Sequence, residues 1–180
     1  MTKLLVIDLD QTIIDSSIRE NYCYTKNGEL DLPKYRQVKT CDNNGIINDQ
    51  LTPFGHWLKT NYYSLLENGY VIVFLTARLC DSQDFKSFKQ LGIDSMILDH
   101  CLLVERGIAA LYGGNAQEQC SAKYKRPILW RFANAYSTYD VTVVDDCIKV
   151  LGMAKAQGFK TVCARELYHY DPQDFASLFI

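Results

Sequence analysis

The sequence has no strong excess of charge of either sign. Its 180 residues include 19 Lys and Arg against 21 Asp and Glu, which gives a formal net charge of −2 at pH 7. A polycationic domain and an acidic tail are therefore excluded, and charge alone does not indicate non-specific binding to nucleic acid. With 48% hydrophobic residues, the chain can bury the core of a single globular domain over residues 1–180.

Cysteine pairs and long hydrophobic runs are also missing. The seven cysteines form no Cys-x-x-Cys pair and are odd in number, so we expect reduced thiols and neither a disulfide framework nor a zinc site. The apolar run after Lys3 is short and ends at Asp8, which is too short for a signal peptide or a membrane span. These absences predict a cytoplasmic protein with no membrane partner.

Continuous apolar runs alternate with amphipathic segments along the chain. The predicted strands are residues 4–8, 70–76, 141–145 and 159–164, with a weaker strand within 96–105. The predicted helices are residues 53–69, 81–92, 125–136 and 147–158. This alternation predicts an α/β fold with a Rossmann-like, doubly wound, mostly parallel sheet flanked by helices.

Residues 15–50 break the alternation. They are polar, rich in Asn, Asp and Tyr, and contain Asn27-Gly28 within residues 25–32, which is typical of a hairpin turn. We interpret residues 15–50 as a small flap or cap inserted after the first strand, and not as a second domain. Residues 107–121 are predicted to be a further loop.

Polar residues stand where three predicted strands end. They are Asp8, Asp10 and Thr12 after the first strand, Thr76 and Arg78 after the second, and Asp145 and Asp146 after the third. Open parallel sheets bind ligands beyond the carboxyl ends of their strands. We therefore expect these side chains to share one site on the rim of the sheet.

Two carboxylates at the mouth of a buried strand repel each other, which points to a bound cation. Asp8 can share a hard divalent cation with Asp145 or Asp146, and Mg²⁺ is the default for oxygen ligands. Residues two apart on a strand share a face, and a strand can also bend where it ends. Asp10 therefore joins Asp8, Asp145 and Asp146 as a candidate metal ligand. A carboxylate nucleophile here would form an acyl-phosphate.

The motifs that carry these residues resemble those of the haloacid dehalogenase (HAD) superfamily. DLDQT (8–12) resembles motif I, DxDx[TV]; FLTAR (74–78) is similar to motif II, and VVDD (143–146) to motif IV. The resemblance implies Asp8 as nucleophile, Asp10 as general acid/base, Thr76 and Lys125 as phosphate-binding catalytic residues, and Asp145 and Asp146 as metal carboxylates. An Asp at the position of Asp10 implies a phosphatase, since the dehalogenases of the family lack it.

Two lysines compete for motif III, which requires a Lys ahead of a helix. Lys125 is favoured over Lys123 because it stands just before Pro127, and proline is well tolerated in a first helical turn. The sequence leaves open whether Asp145 or Asp146 ligates the metal directly.

A narrower similarity exists to the 3′-phosphatase domains of phage polynucleotide kinases. It is carried by Tyr35, Lys39, Asp42 and residues 46–48, and by residues 69–78, 102–107, 124–130 and 143–159. In those domains an Arg two residues after the motif II hydroxyl contacts phosphate, and Arg78 fits that position. Gln11 stands where the family usually has Gly, and no GxxxxGK[ST] phosphate-binding loop is present, so an end-healing role would lack 5′-kinase activity. The similarity favours a phage-encoded protein in a host cytoplasm.

These observations lead to one main hypothesis and two alternatives. The main hypothesis is a Mg²⁺-dependent phosphomonoesterase with an aspartyl-phosphate intermediate, acting on a nucleotide or a nucleic-acid 3′-phosphate end. A small flap would leave the rim open to bulky ends. Basic residues in the flap and on the opposite rim could steer a polyanion, namely Arg19, Lys26, Lys34, Arg36 and Lys39 in the flap and Lys123, Lys125, Arg126 and Arg131 on the rim. The alternatives are a 5′-nucleotidase on free (deoxy)nucleoside monophosphates and a catalytically inactive HAD-fold binding module.

Overall fold

A five-stranded parallel sheet forms the centre of the computed structural model, which describes residues 2–28, 31, 34, 49–78, 80, 82–99, 101–106 and 121–179. The strands are β1 Lys3–Ile7, β2 Ile14–Asp15, β3 Gln50–Leu51, β4 Tyr70–Leu75, β5 Leu102–Val104, β6 Asp140–Asp145 and β7 Lys160–Cys163. The main sheet has the order β5-β4-β1-β6-β7, and every neighbouring pair is parallel. The predicted α/β architecture is confirmed.

Helices connect these strands. They are α1 Ser17–Asn21, α2 Pro53–Glu67, α3 Ser82–Leu91, α4 Asp94–Leu98, α5 Ser121–Ala135, α6 Ile148–Ala156, α7 Ala164–Leu167 and α8 Phe175–Phe179, with a 3₁₀ turn at Pro172–Asp174. Within the described residues, none of the helices combines the length and the apolar character that crossing a bilayer requires.

A hydrophobic cluster covers each face of the sheet, and alternate residues of β1 belong to one cluster or the other. Leu5 and Ile7 pack in one hydrophobic cluster with residues of α2, α3, α4, α7 and α8. Leu4 and Val6 pack in a second cluster with residues of α5 and α6. Side chains along a strand alternate between its faces, which is why a continuous apolar run is needed in a strand that is buried on both sides.

The insertion after β1 is closed at its base by a small antiparallel pair. Ile14 pairs with Leu51 and Asp15 with Gln50, and α1 follows β2 directly. Of the predicted flap over residues 15–50, residues 29–30, 32–33 and 35–48 lie outside the described residues, and so do residues 29, 30 and 32 of the predicted hairpin over 25–32. The predicted loop over 107–121 likewise lies almost entirely outside them.

Helix α5 begins earlier than the sequence predicts. It starts at Ser121, so Pro127 lies inside the helix and not in its first turn. A proline in a helix removes one backbone hydrogen bond and crowds the preceding turn. The helix nevertheless extends upstream, and the part before Pro127 carries Tyr124 and Lys125, which are both buried. The prediction of a start near Lys125 is therefore wrong.

The loop after β1 is fastened to the first turn of α2. The backbone carbonyl of Leu9 accepts hydrogen bonds from the amides of Thr12, Ile13 and Ile14, which closes a tight loop. The Thr52 hydroxyl donates to the Thr12 carbonyl at 2.6 Å and accepts from the Gly55 amide at 2.9 Å, which caps the helix. The segment that carries Asp10 is thus held against the start of α2.

Gly55 permits this close approach, and Gly152 provides a matched control. A Cβ atom at Gly55 would lie 2.1 Å from the Ile13 backbone oxygen, whereas a Cβ at Gly152 in α6 would meet nothing within 4 Å. We expect Gly55→Ala to lower the free energy of unfolding by about 1–3 kcal/mol. Gly152→Ala should raise it by roughly 0.5–1 kcal/mol, because alanine favours the helix. Urea denaturation measures both, and equal effects of the two substitutions would contradict the proposed close contact.

Candidate active site

The ammonium group of Lys125 lies between two carboxylates at the carboxyl ends of neighbouring strands. Ile7 pairs with Val144, so the next residues, Asp8 and Asp145, leave the sheet side by side. Lys125 Nζ is 2.7 Å from Asp8 Oδ1 and 2.7 Å from Asp145 Oδ2. All three side chains are buried. The lysine supplies the positive charge that allows two carboxylates to be buried together.

Asp146 completes a group of three carboxylates. One oxygen each of Asp8, Asp145 and Asp146 lies within 4.8 Å of the others, a spacing that could hold a metal ion. Asp145 Oδ1 accepts a hydrogen bond from the Cys147 amide at 2.8 Å. Asp146 also contacts Arg165 Nη2 at 3.2 Å. All donors are carboxylate oxygens, which suits a hard divalent cation such as Mg²⁺.

The pKa shifts in this group reflect burial and mutual repulsion. Burial raises the pKa of Asp8 well above its usual value, opposed by Lys125 and reinforced by the charges of Asp145, Asp146 and Asp10. Burial and Asp145 likewise raise the pKa of Asp146. Although burial disfavours its ammonium form, Asp145 and Asp8 raise the pKa of Lys125, which therefore stays charged. A cation placed among these carboxylates would favour their ionised forms.

Asp10 faces a different set of partners. Arg78 binds it with Nε at 2.9 Å and Nη2 at 2.6 Å, and Arg19 Nη2 lies 3.0 Å away. Burial favours the neutral carboxyl, but Arg78 and Arg19 outweigh it and hold the pKa of Asp10 far below its usual value. The carboxylate of Asp10, a candidate metal ligand from the sequence, thus lies outside the three-carboxylate group and contacts two arginines instead.

Arg78 is held by three carboxylates. Besides its contacts with Asp10, its Nη2 is 3.0 Å from Asp49 Oδ2 and its Nη1 is 2.9 Å from Asp84 Oδ1. The sequence suggests Arg78 as a phosphate ligand, and a phosphate at this guanidinium would compete with these carboxylates. Thr76, the other motif II residue, is fully buried, and its hydroxyl oxygen accepts a hydrogen bond from the Arg78 amide at 3.1 Å. Its hydroxyl hydrogen remains available to donate.

The structure distinguishes the two lysines that compete for motif III. Lys125 is fully buried between the carboxylates, whereas Lys123 is exposed on the same helix. Of the basic residues suggested for steering a polyanion, Arg19 and Lys125 are buried in ion pairs. They therefore do not contribute to a basic surface for a nucleic-acid strand.

Gln11 has a left-handed backbone conformation, which glycine adopts most readily. This conformation accounts for the glycine that the family usually has at this position. The φ of Gln11 is 55°, a value that costs energy for residues with a side chain. Its backbone amide donates to the Ile14 carbonyl at 2.7 Å, and its side-chain amide donates to Ser16 Oγ at 3.2 Å. These contacts help to hold the strained turn between Asp10 and β2.

Sequence reasoning missed several residues that surround the site. Asp49 and Asp84 bind Arg78, and Arg165 binds Asp146. Asp49 lies at the end of a polar segment with no periodic pattern, Asp84 lies in the first turn of α3, and Arg165 follows the last strand of the sheet. Arg165 could have been suspected from its position at a strand end, whereas no local signal marks the two aspartates.

Comparison with known proteins agrees with this geometry. The model of the family described as bacteriophage T5 5′-deoxynucleotidase matches residues 1–170. A relative, the 5′-deoxynucleotidase of Escherichia phage T5, is 26% identical over 170 residues, which cover 92% of this chain and 68% of the relative. Among solved structures, a haloacid dehalogenase-like hydrolase from Streptococcus pneumoniae aligns with a TM-score of 0.55 at 15% identity, over 99% of both chains. The predicted HAD fold is confirmed.

The carboxylate group predicts a pH-dependent affinity for Mg²⁺. Because the pKa values of Asp8 and Asp146 are raised, protons compete with the metal at a higher pH than at ordinary carboxylates. We expect calorimetric titration to show weaker Mg²⁺ binding at pH 5.5 than at pH 7.5. Asp146→Asn should weaken binding at pH 7.5 by about tenfold or more.

Asp140→Asn is the matched control for this titration. Asp140 lies at the opposite end of β6 and forms an ion pair with Lys160 at 2.7 Å. Its substitution should leave Mg²⁺ affinity unchanged. Equal affinity in the Asp146→Asn variant and the wild type would contradict the assignment of Asp146 to the metal group.

Proposed function

The chain belongs to the bacteriophage T5 5′-deoxynucleotidase family, and on this basis we propose that it removes the 5′-phosphate from deoxynucleoside monophosphates. It is a phosphoric monoester hydrolase with a HAD fold. The match across residues 1–170 carries the proposal, because it includes both the nucleophile strand and the rim that would receive the nucleoside. It favours the 5′-nucleotidase alternative over action on a nucleic-acid 3′ end.

Asp8 is the proposed nucleophile. One of its carboxylate oxygens forms a bond to phosphorus while the bond from phosphorus to the nucleoside 5′ oxygen breaks, which leaves an aspartyl-phosphate. Asp10 gives a proton to the leaving oxygen. Water then attacks the phosphorus and passes a proton to Asp10, which frees inorganic phosphate and the Asp8 carboxylate. Asp10 then returns to solvent the proton that it took up when the substrate bound.

The environment of Asp10 suits the second half of this cycle directly. Arg78 and Arg19 keep its pKa low, so in the free enzyme it is an ionised carboxylate that can accept a proton from water. To donate a proton in the first half, it must become protonated when substrate binds. The negative charge of an incoming phosphate beside it raises the pKa of a carboxyl group and favours that change.

Two further side chains are proposed to hold the phosphate. Lys125 brings a permanent positive charge to within 2.7 Å of Asp8, and Thr76 offers a buried hydroxyl at the end of β4. Such groups stabilise the charge that spreads over the phosphoryl oxygens during transfer. Asp8, Asp145 and Asp146 would hold Mg²⁺, which, when bound, neutralises charge on the phosphoryl oxygens and orients the group.

A substrate panel tests the proposed specificity. The wild-type protein with Mg²⁺ should release phosphate from deoxynucleoside 5′-monophosphates with a kcat/KM at least about tenfold above that for a 3′-phosphorylated oligonucleotide. Deoxynucleoside 3′-monophosphates and a 5′-phosphorylated oligonucleotide complete the panel. A preference for either oligonucleotide would overturn the mononucleotide proposal, and a lack of turnover of every ester would support a binding module.

Substitution of the two motif I aspartates tests the mechanism. Asp8→Asn should lower kcat on a deoxynucleoside 5′-monophosphate by roughly a thousandfold or more, because the nucleophile is lost. Asp10→Asn should lower it by about 10²- to 10³-fold, while p-nitrophenyl phosphate should be affected much less, since its leaving group needs no proton. Asp140→Asn is the control, with unchanged rates. Equal losses on both substrates in Asp10→Asn would refute the acid/base role.

A further inference from the structure

Two buried arginines and two aspartates form a closed ring of ion pairs beside the site. Arg19 Nη2 is 3.0 Å from Asp10 Oδ1, and Arg19 Nε is 3.3 Å from Asp49 Oδ1. Arg78 Nη2 is 2.6 Å from Asp10 Oδ1 and 3.0 Å from Asp49 Oδ2. Asp10 and Asp49 therefore hold the same pair of guanidinium groups from two directions.

Asp49 stands out because none of its side-chain surface is exposed and each of its oxygens accepts from a different arginine. It immediately precedes β3, where the insertion returns to the core, whereas Arg19 lies on α1, where the insertion leaves it. Asp10 and Arg78 follow β1 and β4 of the main sheet. The Asp49 carboxylate thus links both ends of the insertion to Arg78 at the end of β4.

Fold stability alone does not explain the presence of so many buried charges. Taking ion pairs out of water costs free energy that their attraction often only balances, and packed apolar residues of similar volume commonly stabilise a protein as well or better. The ring is instead arranged around Asp10, because both arginines contact the Asp10 carboxylate. Planar guanidinium groups orient a carboxylate strongly, but only where they are themselves held in place.

We propose that Asp49 is a positioning residue for the leaving-group step, which holds Arg19 and Arg78 in the orientation that Asp10 needs to protonate the nucleoside oxygen. The inference rests on the proposed function, in which Asp10 is the general acid/base. Without the Asp49 carboxylate, Arg19 and Arg78 would each lose a partner that fixes the guanidinium group, so that the Asp10 carboxylate they hold would be misplaced relative to the leaving oxygen. The nucleophilic attack by Asp8, whose carboxylate contacts Lys125, would be spared.

Leaving-group dependence separates this role from a merely structural one. Asp49→Asn keeps the side-chain shape but removes the charge, and we expect it to lower kcat on a deoxynucleoside 5′-monophosphate by about 10- to 100-fold. On p-nitrophenyl phosphate the loss should stay within about threefold, because that leaving group needs no proton. In an Asp10→Asn background, Asp49→Asn should cause no further loss beyond about twofold, since both act on one step.

Asp84→Asn is the matched comparison. Asp84 contacts Arg78 through Nη1, whereas Asp10 and Asp49 share Nη2. We expect it to lower the rates on both substrates by less than about threefold. A selective loss as large as that of Asp49→Asn would overturn the special role of Asp49, and so would an equal loss on both substrates in Asp49→Asn.

A second variant covers the case in which Asp49→Asn does not fold, as judged by circular dichroism. Asp49→Glu retains the charge but moves it by one methylene group, and it should show the same selectivity with a smaller loss.

Failure of the proposed function is visible in the wild type: turnover of p-nitrophenyl phosphate without turnover of deoxynucleotides would refute the proposed substrate alone. In that case an alkyl phosphate replaces the nucleotide, and an Asp49→Asn variant without a selective loss on it would refute the role of Asp49.

Discussion

The contact of the Lys125 ammonium with Asp8 and Asp145 is the interaction on which the site depends. Parallel pairing of β1 with β6 brings these two carboxylates side by side in a buried position, where their repulsion would otherwise oppose folding. The lysine reaches them from α5, in the second turn of a helix that packs on one face of the sheet. Its charge offsets the repulsion between the two carboxylates, and in the proposed mechanism the same charge would stabilise the phosphoryl oxygens.

The loop after β1 separates two electrostatic environments that lie close together. Asp8 belongs to a group of carboxylates that a cation would complete, whereas Asp10 is surrounded by arginines. Burial and like charges raise the pKa of Asp8, and guanidinium groups lower that of Asp10. The pKa values of these two carboxyl groups, two residues apart, are thus shifted in opposite directions. This difference supports the different roles proposed for them in phosphoryl transfer.

Much of the fold followed from local pattern. Apolar runs located the strands of the main sheet to within one or two residues, and β5 was found within the weak segment over 96–105. The start of α5 was missed, because the proline signal at Pro127 competed with the burial of Tyr124 and Lys125, which depends on the sheet beneath them. The short helices α7 and α8 were not anticipated, since segments of four and five residues carry no reliable periodicity.

The sequence by itself determined the strands, the order of the motifs and the acidic residues at the strand ends, because hydrophobic periodicity and strand termination are properties of neighbouring residues. Only the tertiary structure decided which charges meet. Arg19 binds Asp49 across 30 positions and Arg78 binds Asp10 across 68. An ion pair between such distant residues leaves no local pattern, since a buried arginine and a solvated one look the same until the chain has folded around them.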